Sequence, residues 1–275
     1  MNAAAEALQP SPETTREVAT WVTPVARLGF VAKGIVYLML GWFAVRAALL
    51  ADEPLDRSEA LAQLRDKDFG DVVLIAIAVG LVAHVLWRLT QALLDPEHAN
   101  DRKLHLGARL AHLGSTVFYG ALAWTAAKLA LGAHQSHDGE DHWMAVLLSQ
   151  PYGRLLAYGV AASIVAYGLR QFWRAWKGDP VVKHLALATV RGRKLVEAIG
   201  RFGVFARGVV FVLIGGFVYD AAHDFDASAA GSTDEALRAL GHGWLVGIVA
   251  AGFIAYGLFQ FFEARYHRIH PWQRP

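Results

Sequence analysis

Two basic side chains sit inside long apolar runs of this chain. Lys33 lies six residues past Arg27, and Arg207 lies six residues past Arg201. Six residues is ~9 Å of helix, enough to reach below lipid headgroups. A charge at that depth costs about 1–3 kcal/mol on insertion scales, and is usually paired or turned to an aqueous cavity. The chemistry that two such cations suit is electrostatic: binding a small anion or a lipid headgroup. The competing reading is that both snorkel back to the near surface.

Other polar residues recur at matching places. Arg27, Arg109 and Arg201 each start an apolar run. They form either a collar for an anion or lipid headgroup, or three snorkelling anchors obeying a cytoplasmic charge bias. His84, Tyr167 and Tyr256 correspond to one another in the second run of each repeat, with Arg88, Gln171 and Gln260 one helical turn further on. On an inward face these six make two stacked polar layers; on an outward face they are hydrogen bonds between helices. The stretch AHQSHDGEDHW carries His134, His137 and His142 with Asp138, Glu140 and Asp141, groups that can ligate a divalent ion. Their spacing matches no established metal motif and equally suits a solvated loop.

Several chemistries are excluded or unsupported. With no cysteine there is no disulfide, thiolate site or thiol nucleophile. There is no Gly-rich phosphate loop, no His-Glu-x-x-His and no Gly-x-Ser-x-Gly. Almost no carboxylate stands within the apolar runs. No enzyme and no cofactor are expected. The basic stretch VRGRK at Val190–Lys194 is explained by a loop facing anionic lipid, without nucleic acid.

The elements that must position these residues are membrane helices. The chain is 55% hydrophobic and only 18% charged, against about a quarter charged in soluble domains. Six stretches are long enough to cross a ~30 Å hydrocarbon core, near 28–50, 71–94, 110–132, 154–176, 203–222 and 243–263. They are continuously apolar rather than striped, so a soluble amphipathic bundle is disfavoured. Placing both termini in the cytoplasm puts 19 of the 26 lysines and arginines inside or at inner helix ends. The first 25 residues lack the basic start and apolar middle of a secretory signal and are read as a cytoplasmic tail, with a helical segment near Glu13–Trp21.

Internal repetition organises the whole. ARLGFVAKGIVYLMLGWFAV from Ala26 returns as ARLAHLGSTVFYGALAW from Ala108 and as GRFGVFARGVVFVLIGGFVY from Gly200. The leading arginines are 82 and 92 residues apart, which suits a unit of two membrane helices. The expected division is a tail (1–25), repeat 1 (26–98), repeat 2 (99–179), a basic linker (180–199), repeat 3 (200–266) and a C-terminal tail (267–275). Two spans per repeat keep all three the same way up, as parallel repeats about an axis along the membrane normal. Short helices with Ser58 and Thr233 as N-caps are expected in the loops between paired spans. Gly29, Gly203, Gly41, Gly215, Gly159 and Ser163 read as packing notches.

The motifs ARLGFVAKG (Ala26–Gly34), RFGVFARG (Arg201–Gly208), Tyr167-Gly168-Leu169 and Tyr256-Gly257-Leu258 resemble those of the bacterial membrane family known as domain of unknown function 1206. The resemblance implies an all-α protein of three tandem two-helix units and carries no activity with it. The middle repeat departs, with Ala111 for the first glycine and Ser115-Thr116 for the basic-glycine pair; the first repeat closes on His84-Val85-Leu86.

Three functions therefore stand. The polar layers of a multi-pass protein of a bacterial inner membrane bind or pass a small, anionic solute or lipid headgroup; or the centre is sealed and the protein is a scaffold for partners; or the outer loop binds metal. The lipid bilayer and its anionic headgroups are the expected partners.

Overall fold

The computed structural model describes residues 12–50, 55, 57–65, 69–94, 106–133, 139–182, 185, 192–231, 233–240 and 244–267. All regular elements in them are helical. They run α1 (Pro12–Leu50), α2 (Arg57–Arg65), α3 (Gly70–Leu94), α4 (Leu106–Ala130), α5 (Gly139–Leu148), α6 (Gly153–Lys177), α7 (Asp179–Val182), α8 (Arg193–Asp224), α9 (Thr233–Ala239) and α10 (Trp244–Tyr266). Among the described residues the one β feature is an isolated antiparallel bridge, Leu185 to His267.

Among the described residues five helices are long and apolar enough to cross a membrane: α1 from Pro24, α3, α6, α8 and α10. Their mean hydropathy runs from 1.2 in α6 to 2.3 in α3. The sixth expected span, α4, has 25 residues and the right length but is diluted by Arg109, His112, Ser115, Thr116 and Lys128. Large apolar side chains such as Trp42, Val79, Val117, Leu155 and Trp176 are exposed, as suits helices solvated by lipid.

Helix ends depart from the sequence-based expectation in three places. The segment at Glu13–Trp21 and the first span are one 39-residue helix that continues through Pro24. Proline removes the hydrogen bond to the Thr20 carbonyl without ending the helix, because apolar packing beyond it holds the backbone. α8 begins at Arg193, inside the stretch read as linker. α2 begins at Arg57, so Ser58 is within the helix and is not its N-cap.

The long helices pack in a definite order. α3 lies against α4, α6 against α8, and α10 against α1; α1 also packs on α3, and α8 on α10. Among the described residues no packed interface joins α4 to α6. Close approach is made by glycine. A Cβ on Gly29 would lie 2.6 Å from the His84 backbone and one on Gly203 2.6 Å from that of Tyr256. Gly41 and Gly215 are equally tight against Ile254 and Val165, whereas Gly159 has nothing among the described residues within 4 Å of where its Cβ would be and Ser163 is exposed. The notch reading therefore fits four of those six residues.

Phe69 and Tyr152 hold left-handed backbone (φ 61° and 62°) just before Gly70 and Gly153. A Cβ on either glycine would collide with the preceding helix's carbonyls, Leu64 and Leu147. One turn geometry thus leads into both α3 and α6, and leaves an exposed aromatic ring at each entry.

Candidate functional site

Where the long helices meet, the chain buries charge. Lys33, Arg57, His84, Gln91, Gln171, Arg207, Gln260 and Glu263 are all buried, the last being the one buried carboxylate on the long helices among the described residues. Lys33 and Arg207 do not snorkel, being only 3% and 6% exposed. Their immediate partners are aromatic faces. Lys33 Nζ lies 5.2 Å from the centre of the Tyr256 ring and 5.4 Å from that of Tyr119. The Arg207 guanidinium lies 4.4 Å from Tyr256, 5.3 Å from Tyr37 and 5.4 Å from Phe211, and donates to the Tyr256 hydroxyl at 2.7 Å. Cation–π contact of this kind strengthens as water is excluded.

Three aromatic contacts knit the cluster. His84 meets Tyr119 edge-on at 4.7 Å, Tyr167 meets Phe211 at 4.9 Å, and Tyr256 meets Tyr37 at 4.6 Å. Each joins the second helix of one repeat to the first helix of another. Tyr37, Tyr119 and Phe211 stand at one repeat position, ten residues past the leading arginines, and sequence reasoning missed them. The same offset that aligns Lys33 with Arg207 would have found them, but an aromatic ring in an apolar run reads as ordinary core.

Arg57 is a fourth residue of the site that sequence reasoning missed. It reaches in from α2, donating to the Thr233 hydroxyl at 2.6 Å and to the Tyr37 hydroxyl at 3.3 Å. Its guanidinium also covers the Tyr37 and Phe118 rings at 5.4 and 5.1 Å. One side chain thus joins all three repeats and closes the cluster on the side of the short helices. Thr233, expected as a simple cap, is its buried acceptor.

Toward the other end, Arg88 Nε donates to His84 Nε2 at 3.4 Å, and its Nη1 reaches Gln91 at 2.9 Å and His112 at 3.3 Å. Since arginine only donates, His84 accepts through Nε2 and carries its proton on Nδ1. That Nδ1, with Arg57 Nε, Arg207 Nε, Gln171 Nε2 and both amide atoms of Gln260, is buried with no hydrogen-bond partner among the described residues. All but the Gln260 oxygen are donors. Buried polar groups are normally satisfied, so a set of orphans dominated by donors points to a missing acceptor.

The structure divides the other sequence candidates. Tyr167 is half-buried on α6, and Gln171 accepts from Arg174 at 3.2 Å. Arg201 donates to the Ala175 and Trp176 carbonyls at 2.7 and 3.2 Å, and pairs with Glu197 at 3.7 Å. It holds the C-terminus of α6, where a cation complements the helix dipole. Arg154 does the same for α8 through the Ala222 carbonyl at 2.9 Å and that of His223. Arg27 is exposed. The side chain of Arg109 and those of His134, His137 and His142 lie outside the described residues, among which no group of three metal-ligating side chains forms.

A helical membrane protein with a buried, cation-rich aromatic centre is the class these features define. The sequence matches the family described as Domain of Unknown Function (DUF1206) over residues 28–95, 110–178 and 202–267, one segment per repeat, and the chain belongs to that family. It is 29% identical over 266 residues to uncharacterized protein YxxB of Bacillus subtilis (strain 168), covering 94% of this chain and 96% of that one. No solved structure matches.

Proposed function

We propose that this chain is a six-span protein of a bacterial inner membrane, with both termini cytoplasmic. Its three hairpins surround a site for a small anionic solute or an anionic lipid headgroup. On this reading it binds or passes its ligand and catalyses nothing. The sixth span is α4, shielded by α3 along one face. The repeated contact of one repeat's second helix with the next repeat's first, α3 with α4, α6 with α8 and α10 with α1, supports a pseudo-threefold arrangement that is open between α4 and α6.

The observation that carries the reading is the charge balance of the centre. Among the described residues Lys33, Arg57 and Arg207 are buried there against two buried carboxylates, Glu263 and Asp234, of which Asp234 already pairs with Arg238 at 3.2 Å, and several donors lack acceptors. Burying unpaired charge is expensive, and a bound anion offsets that cost. The test is calorimetric titration of acetate or sulfate into purified protein, compared with the Lys33→Met, Arg207→Met double variant. Saturable binding lost in the variant supports the site. No binding to folded wild-type protein favours the sealed scaffold instead.

A further inference from the structure

Among the described residues the second repeat lacks the packed interface that closes the other two. In repeat 1, Gly80 of α3 packs so tightly on Ala32 of α1 that a Cβ would lie 2.4 Å from the alanine methyl; in repeat 3, Gly252 of α10 is as close to Ala206 of α8, at 2.2 Å. The equivalent residues of repeat 2 are Ser163 of α6 and Gly114 of α4. Both are exposed, and Gly114 has nothing among the described residues within 4 Å of where its Cβ would be. Ala32, Gly80, Ala206 and Gly252 are all buried.

We infer that the slot between α4 and α6 is a lateral entrance from the lipid, taken by an anionic amphiphile whose acyl chain lies between the two helices and whose head reaches the cations of the centre. The inference rests on the reading of that centre as an anion site. Four features carry it. The slot wall is small or apolar, with Gly114, Val117, Ser163 and Ala166 exposed along it. A methylene chain fits beside such residues, where bulkier side chains would block it. On α6, Ser163, Tyr167 and Gln171 follow at four-residue steps on one face, passing from exposed through half-buried to fully buried. That stripe ends at an orphaned donor, Gln171 Nε2. From α4, Tyr119 leads inward to Lys33 and His84. The charge behind the slot selects the occupant: a neutral tail or an apolar helix of a second copy would leave the buried cations and donors as they are, whereas an anionic head would satisfy them.

The absence of cysteine makes the test site-specific. Gly114→Cys protein in phosphatidylcholine nanodiscs is labelled with a benzyl methanethiosulfonate, and binding of oleate is measured before labelling, after it, and after reduction. The expected result is at least a tenfold loss of oleate affinity on labelling, restored by the reductant. Gly114→Leu should lower it permanently while leaving the thermal midpoint unchanged. Undiminished oleate binding by labelled protein would overturn the lateral entrance. So would cross-linking of the introduced thiol between two copies, which would give the slot to a second chain. The underlying reading is judged separately: if the Lys33→Met, Arg207→Met variant binds oleate as wild type does, the cationic centre is not the site of the head.

Discussion

Arg207 uses one tyrosine twice: its guanidinium donates to the Tyr256 hydroxyl at 2.7 Å and lies 4.4 Å from the centre of the same ring. The contact holds α8 to α10 within repeat 3 and leaves the buried Nε without a hydrogen-bond partner among the described residues. Tyr256→Phe keeps the ring and removes the acceptor. It should cost about 1.5–3 kcal/mol of stability, the range for hydrogen bonds to charged groups, read as a lower thermal midpoint in detergent.

Removing the charge itself has a different signature. Lys33→Met or Arg207→Met relieves burial of a cation while giving up its aromatic contacts, so stability should change by less than about 1.5 kcal/mol in either direction. Anion affinity should fall by tenfold or more. Thermal melts and titrations on the same samples separate the two effects; a parallel collapse of both would mark the cations as structural.

Arg57 and Thr233 join the first and third repeats across 176 residues of sequence. Arg57→Ala also deletes the contacts to Tyr37 and Phe118, whereas Thr233→Val deletes the hydroxyl alone. A double-mutant cycle should show a coupling of about 1–2 kcal/mol between the two positions. Additivity would mean that Arg57 acts only through the aromatic rings.

The glycine contacts predict a sharp asymmetry between repeats. Gly29→Val and Gly203→Val should prevent accumulation of folded protein, because each side chain would enter the backbone of the facing helix. Gly114→Val should shift stability by less than about 0.5 kcal/mol, since its side chain meets nothing among the described residues. Yield and monodispersity by size exclusion distinguish these outcomes.

Much of this arrangement is legible in the sequence. Continuous apolar runs mark the long helices, and the 82- and 92-residue offsets single out Lys33 and Arg207, as steps of 83 and 89 residues do His84, Tyr167 and Tyr256, without any knowledge of contacts. Tyr37, Tyr119 and Phe211 stay hidden because a tyrosine among valines and leucines gives no sign of which face it is on. Arg57 stays hidden for the opposite reason. It lies in a polar segment, where an arginine reads as a solvated outer-loop charge, and only tertiary packing folds α2 back over the centre. The slot beside Gly114 is invisible because small residues signal close packing, and sequence alone does not say which small residues find a partner.

Span number is decided by labelling. Single cysteines at Ser149 and Lys194 should react from opposite sides of the membrane, with Lys194 on the cytoplasmic side along with both termini. If α4 did not cross, the N-terminus and Lys194 would fall on opposite faces.

The claim that the buried cations hold an anion is tested most directly by anomalous diffraction from crystals grown in bromide. A bromide peak in contact with both Lys33 Nζ and the Arg207 guanidinium is expected. An empty, well-ordered centre in which those two cations are instead satisfied by Glu263 would contradict it.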